Sequence, residues 1–304
     1  MVNTSGRLDS LRPYLRYDAV ADASAALVIN SYSSSFGLAT RLLGHSVRVD
    51  VHNIYALVRV ADEVVDAPRP GHDVAERRRE LDLLEEETYR ALRTGASANL
   101  VVHAFARTAR RTLIGEELIT PFFASMRMDL DRAQHDADSL AAYIYGSAEV
   151  VGLMCLRAFL AAEPAREFRY TELSAGARHL GAAFQKINFL RDVGDDSEGL
   201  GRDYLVGRRV DDPAEITWQH WIADIDDDLA AAAAMIPSLP RRSRVAVCAA
   251  HDLFAELTDR LRASTPSRAR AFRVRVPTPM KLRIVAAAAR RRGRPIRRGA
   301  EGQR

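Results

Sequence analysis

Only two cysteines, Cys155 and Cys248, occur in the 304 residues. That is too few for a disulfide framework, and both fall in apolar, helix-like runs that read as reduced core positions. There is no G-x-S-x-G elbow for a nucleophilic serine and no glycine-rich dinucleotide fingerprint. The eight histidines make no zinc-like spacing with the cysteines. The stretch from Val2 to Asp18 is polar and lacks the apolar core of a secretory signal. No run reaches the ~18 apolar residues of a membrane span. The longest candidate, Val150 to Ala162, carries Arg157 and reads as a core helix. Glycine and proline do not cluster into a linker, and there is no internal repeat. Together these gaps argue against a disulfide-stapled secreted domain, a serine hydrolase and a zinc enzyme, and the expected location is the cytoplasm.

Hydrophobic residues make up 47% of the chain, enough for a sizeable core. They recur at helical spacing almost everywhere, with little strict alternation, so the predicted fold class is all-α. The net charge is +4 and the isoelectric point about 9.2. The excess lies late, at Arg290, Arg291, Arg292, Arg294, Arg297 and Arg298. Such a tail suits anionic lipid headgroups at the inner face of a membrane, where each basic residue is worth roughly 1 kcal/mol, or it is simply solvated. Aromatics are sparse there and no nucleic-acid motif accompanies it, so no nucleic-acid partner is expected.

Two acidic clusters carry the most chemistry: Asp62-Glu63-Val64-Val65-Asp66 and Asp192-Val193-Gly194-Asp195-Asp196. In each, two aspartates stand four residues apart and share one helix face. Like charges at that spacing repel, so helix stability does not explain them. Tyr55, Arg59, Asp62 and Asp66 form one helical stripe; Gln185, Asn188, Asp192 and Asp196 form another. Either pair alone would read as a solvated acidic face. Both together, with amide and arginine partners, suggest a divalent-cation site that holds a diphosphate through magnesium, which takes one or two carboxylates and fills its other positions with water and phosphate.

Ser33-Ser34-Ser35-Phe36 followed by Asn53 to Asp66 resembles the first signature of the squalene/phytoene synthase family. Gly181 to Asp196, ending in Gly201-Arg202-Asp203-Tyr204-Leu205, resembles the second. Met126-Arg127-Met128-Asp129 and Tyr143 to Met154 fit between them in the right order. The resemblance covers roughly residues 20 to 285 and is strongest to bacterial phytoene synthases. Three positions depart from the pattern. Glu63 stands where many members have Asp, Val206 where Pro is frequent, and His251 where several relatives have a tyrosine that contacts diphosphate.

The resemblance implies a single isoprenoid-synthase-like helical domain over 1–304 around a central cavity, with flexible ends at about 1–18 and 293–304. It implies a prenyltransferase that condenses two geranylgeranyl diphosphates head to head, through prephytoene diphosphate, to phytoene. The implied metal set is Asp62, Asp66, Asn188, Asp192 and Asp196 with Mg2+, or Mn2+ in its place, the four aspartates being the catalytic residues. The implied substrate contacts are Ser35, Phe36, Tyr55, Arg59, Tyr143, Val151, Gly152, Gln185, Asn188, Arg191, Arg202, Tyr204 and Arg273. No NADPH is expected. Ala39, Gly146 and Gly152 are small enough to leave room for a long prenyl chain. Three alternatives stay open: a squalene or dehydrosqualene synthase acting on farnesyl diphosphate, a chain-elongating synthase or terpene cyclase, and a non-catalytic relative. The oligomeric state is not readable, since no heptad seam stands out.

Overall fold

The computed structural model describes residues 12–33, 35–66, 70–131, 134–195 and 214–295. Its elements are helical, as the spacing of apolar residues predicts: α1 (Pro13–Tyr32), α2 (Ser35–Thr40), α3 (His45–Asp66), α4 (Val74–Thr94), α5 (Leu100–Thr112), α6 (Glu116–Asp131) and α7 (Ala137–Ile144). A π turn (Tyr145–Glu149) leads into α8 (Val150–Leu160). Then come α9 (Arg166–Asp195), α10 (Ala214–Met235), a 3-10 turn (Ile236–Ser238), α11 (Arg241–Arg262), α12 (Pro266–Ala271) and α13 (Thr278–Arg290).

Local chemistry explains several boundaries. Asp73 and Glu76 form a reciprocal capping box that starts α4, and Gly95, at φ 83°, ends it in the left-handed conformation that glycine adopts without strain. Asp136 and Ser139 cap α7 the same way. Pro13 occupies the first turn of α1, where its missing N–H costs nothing. Residues 13–18, within the stretch expected to be flexible, are helical. Tyr17 Oη donates to Ser97 O and Ala98 O, both at 2.9 Å, and Asp18 pairs with His103 at 2.8 Å.

The two largest apolar clusters join most of the helices. Ile54, Leu57, Ala61 and Val65, on one face of α3, pack with Leu81 of α4, Phe105 of α5, Phe122 of α6 and Met154 of α8. Ala183, Ile187 and Leu190 of α9 pack with Trp218, Ile222 and Ile225 of α10 and Leu261 of α11. Each large side chain so buried contributes about 1.5–3 kcal/mol. Polar ties run outside them: Lys186 reaches Asp224 at 2.5 Å and Asp228 at 2.7 Å, fastening α9 to α10.

The helical run Ala137–Leu160 is long and apolar enough, by length and composition, to cross a membrane. This differs from the count of consecutive apolar residues, because Gly146, Ser147, Glu149 and Arg157 interrupt the run without making it polar on average. Half of it is buried inside the molecule, against α3, α6 and α9, which is the position of a core helix.

α8 and α9 lie antiparallel with their backbones in contact. A Cβ on Gly152 would stand 2.4 Å from Ala177 O, and one on Gly181 would stand 2.4 Å from Ala148 O. Gly146 meets α6 in the same way, at 2.2 Å from Pro121 O. These approaches decide why glycine is present. Gly146 is a packing position between helices and not part of the cavity wall, which corrects its reading as room for a prenyl chain.

Candidate active site

The faces of α3, α8, α9 and α11 that are turned away from the two clusters enclose one cavity of about 1020 Å³. On α3 its wall is Val51, Tyr55, Val58, Arg59, Asp62 and Asp66. On α9 it is the stripe from Leu173 through Ala177, Leu180, Phe184, Gln185 and Asn188 to Asp192. Nineteen steps of 1.5 Å make that stripe about 28 Å long. One end is apolar: Ala39, Leu156, Phe159, Leu173, Ile236, Leu239 and Val247. The other end is charged. The stacked rings of Phe184 and Phe254, with centroids 3.7 Å apart, lie along the wall.

Both α3 and α9 run toward the charged end, and their last turns carry the aspartates and no basic residue. A helix C-terminus already has negative partial charge, so carboxylates there are doubly disfavoured unless a cation is present. The strain is visible at Asp62, whose carboxyl is pushed from 3.8 up to about 7, first by burial and then by the charge of Asp66; Arg59 pulls the other way, and Asp129 and Glu63 add to the rise. A third of the Asp62 side chain nonetheless stays open to the cavity.

Arginines meet these acids. Arg59 Nη1 donates to Asp62 Oδ2 at 2.6 Å, its other arm pairs with Glu63, and its Nε is buried with no acceptor among the described residues. The Arg59 guanidinium also lies 4.4 Å over the Tyr32 ring. Asp192 Oδ1 accepts from Arg191 Nε at 2.8 Å and forms an ion pair with Arg273 Nε at 2.8 Å, and Arg273 Nη2 donates to Asp192 Oδ2 at 3.1 Å. Tyr55 stacks on Phe36 with centroids 5.8 Å apart, and burial pushes its phenol up. Tyr143 Oη donates to Asp129 Oδ2 at 2.9 Å.

The structure thus brings Phe36, Tyr55, Arg59, Asp62, Asp66, Tyr143, Val151, Gly152, Gln185, Asn188, Arg191, Asp192 and Arg273 to one cavity. Asp196, Arg202 and Tyr204 lie outside the described residues, as do the side chains of Ser35 and Asp195. His251 is not on the wall. It is buried between Leu229 O and Asp252, at 3.1 Å from each, and is a satisfied core residue. Cys155 is on the wall, and burial holds its thiol up at about 12.

Sequence reasoning left several groups at the site without a role. Asp129, quoted only as part of a family motif, is not on the wall but lies close enough to Asp62 to raise its carboxyl. Arg275 and Lys281 line the charged end beside Arg273, and burial first, then Arg275 and Arg191, pull the Lys281 ammonium down. The alternation Arg273-Val274-Arg275-Val276 was the available signal: the segment is extended, with Val276 turned inward and both arginines exposed at the rim. Ser147, in the middle of the π turn, places a buried hydroxyl with no partner among the described residues on the wall.

Hard oxygen donors in a doubly anionic setting fit magnesium. Among the described residues no three acid, histidine or cysteine side chains gather closely enough to hold a metal unaided. That too fits an ion that takes one or two carboxylates from the protein and the rest of its shell from water and a phosphate ligand.

Comparison with known proteins adds to this geometry. A family model described as squalene/phytoene synthase matches residues 29–280. The 15-cis-phytoene synthase of Paracoccus sp. is 28% identical over 272 residues, 84% of this chain and 86% of that protein. Phytoene synthase 3, chloroplastic, of Zea mays is 31% identical over 179 residues, 59% of this chain. That match spans only 41% of the maize protein's length. Among solved structures, a dehydrosqualene synthase in complex with ligand superposes with a TM-score of 0.77 at 21% identity, covering 92% of this chain and 99% of that one, and shows the same all-α fold.

Proposed function

The chain belongs to the squalene/phytoene synthase family, and from that premise we propose that it is a phytoene synthase, a prenyltransferase that joins two geranylgeranyl diphosphates through prephytoene diphosphate and releases two diphosphates. One observation carries this reading. The last turns of α3 and α9 point their aspartates into the charged end of a cavity whose remaining length is apolar. A diphosphate head and a long hydrocarbon tail need that polarity gradient.

Asp62, Asp66 and Asp192, with Asn188 beside them, would hold magnesium, or manganese in its place. Bound there, the metal supplies charge neutralisation to a departing diphosphate. Arg59, Arg191 and Arg273 now pair with the acids. With substrate present their planar forks turn to phosphate oxygens, with Arg275 and Lys281 as further donors. Gln185 and Asn188 orient the diphosphate from one turn deeper on α9. Below them Val151, Gly152, Phe184 and Leu180 exclude water, which would quench an allylic cation. The ring faces of Phe36, Tyr55 and Tyr143 stand where that positive charge develops. Tyr143 is held by its bond to Asp129. The wall along α9, about 28 Å by its rise per residue, supports a long prenyl tail.

Phytoene formation ends with loss of a proton, so no NADPH is required. The test is to incubate the protein with magnesium and geranylgeranyl diphosphate, then farnesyl diphosphate, each with and without NADPH, and to weigh the extracted hydrocarbon. A C40 product without NADPH is expected. A C30 product from farnesyl diphosphate alone would keep the chemistry and overturn the substrate.

A further inference from the structure

From residue 263 to residue 295 the sequence contains no acidic residue, while arginine and lysine recur throughout. Residues 273–278 and Lys281 form the rim at the charged end of the cavity, with α12 before them packed on α9 and α10 and the rest of α13 after them packed on α11. Arg273, Arg275, Thr278 and Lys281 line the cavity itself. The outward residues of α13 include Leu282, Arg283, Ala286, Ala289 and Arg290, one helix face with an apolar strip and two arginines along one edge of it. Phe272, next to the Arg273 that pairs with Asp192, is 72% exposed, and Leu282, next to Lys281, is 53% exposed. Arg268, Arg270, Arg283 and Arg290 are exposed and form no ion pair among the described residues. An ordinary solvated helix looks different. The outer face of α4 interleaves Arg79, Glu80, Asp82, Glu86, Arg90 and Arg93. The platform is anchored to the body, because Arg291 pairs with the buried Asp252.

We infer that this segment, from α12 to α13, is a docking surface for an anionic phospholipid bilayer, with Phe272 and Leu282 entering the interface and the arginines reaching the headgroups. Exposed aromatic and aliphatic anchors set among basic residues, with no acid within the segment itself, are the chemistry of interfacial binding. The arrangement lays the cavity mouth on the membrane, so that a lipophilic product of the site proposed above leaves into lipid without crossing water. It differs from binding by the terminal arginines alone, since the surface is complete before residue 295.

The experiment is co-sedimentation of the full chain, without substrate, with phosphatidylcholine vesicles lacking or containing phosphatidylglycerol. Binding is expected only with the anionic lipid and is weakened by salt. The double variant Arg283→Gln with Arg290→Gln removes two charges and lowers partitioning about 30-fold. Phe272→Ser with Leu282→Ser lowers it again. Circular dichroism and unchanged turnover in detergent show that both variants fold. A chain ending at Arg294 retains most of the binding. Loss of all binding on that truncation, equal binding to neutral vesicles, or undiminished binding by both variants would overturn the assignment. So would tight binding of random-sequence RNA without vesicle binding. Because vesicle binding is read without turnover, its failure is separable from failure of the product assay.

Discussion

Replacing Asp62 by asparagine should make the metal-free protein more stable while abolishing turnover. The carboxyl rises from 3.8 to about 7 on folding, because burial and the charge of Asp66 disfavour its ionised form. For a fully enclosed group that shift is worth roughly 4 kcal/mol. A third of the side chain faces the cavity, so solvent screening reduces the figure to about 1–2 kcal/mol. Asparagine keeps an acceptor for Arg59 Nη1 and removes the charge. The sign follows from linkage. The folded value lies above the unfolded one, so the contribution of Asp62 to stability is fully present below pH 3.8 and is lost as pH rises through about 7. The two proteins should therefore melt together near the acid end of that window and separate by about 2–6 °C above pH 7. The assay is thermal unfolding by circular dichroism in chelator across that range, repeated with excess magnesium. The ion should raise the wild-type midpoint more than that of the variant and narrow the gap. A variant that melts below wild type at pH 8 without metal, or a gap that does not shrink with acid, would refute the claim that Asp62 is held at an electrostatic cost.

Asp192→Asn should also abolish product formation in the hydrocarbon assay, and by freeing Arg191 and Arg273 it should leave prenyl diphosphate affinity, read by calorimetry, reduced no more than about tenfold. Lys281→Ala should raise KM for the prenyl diphosphate more than it lowers kcat, as steady-state kinetics would report. His251→Ala should cost about 1–3 kcal/mol in denaturant titration by leaving buried Leu229 O without this donor and Asp252 with Arg291 but without the imidazole, with catalysis per folded molecule intact. Gly152→Ala should destabilise by about 1–3 kcal/mol despite the better helix propensity of alanine, since the new Cβ meets a carbonyl that belongs to α9.

The sequence makes two wall stripes readable because a helix repeats every 3.6 residues. Tyr55, Arg59, Asp62 and Asp66 must share a face, as must Gln185, Asn188 and Asp192, whatever surrounds them. That they face the same cavity is a tertiary fact that spacing cannot supply; motif resemblance supplied the expectation. Gly146 was misread because a small residue looks alike whether it makes room for a ligand or for a neighbouring backbone. Arg275 and Lys281 escaped because they lie on an extended segment and the first turn of a late helix, where no 3.6-residue stripe marks them. His251 stands where several relatives carry a tyrosine, and chain position alone does not show that Leu229 O and Asp252 hold it as a core residue.

The bare-backbone seam between α8 and α9 also bears on how this molecule can diverge. At Gly152 and Gly181 the helices touch carbonyl to Cα, so no larger side chain enters there without parting them. Variation therefore falls on floor residues away from those two contacts: Ala39 and Thr40 of α2, Leu156 and Phe159 of α8, Leu173 of α9, Ile236 and Leu239 in the turn after α10, and Val247 of α11. Selection for a shorter or longer hydrocarbon has those few residues to act upon. An engineer wishing to resize the chamber would build a library there and leave the seam alone.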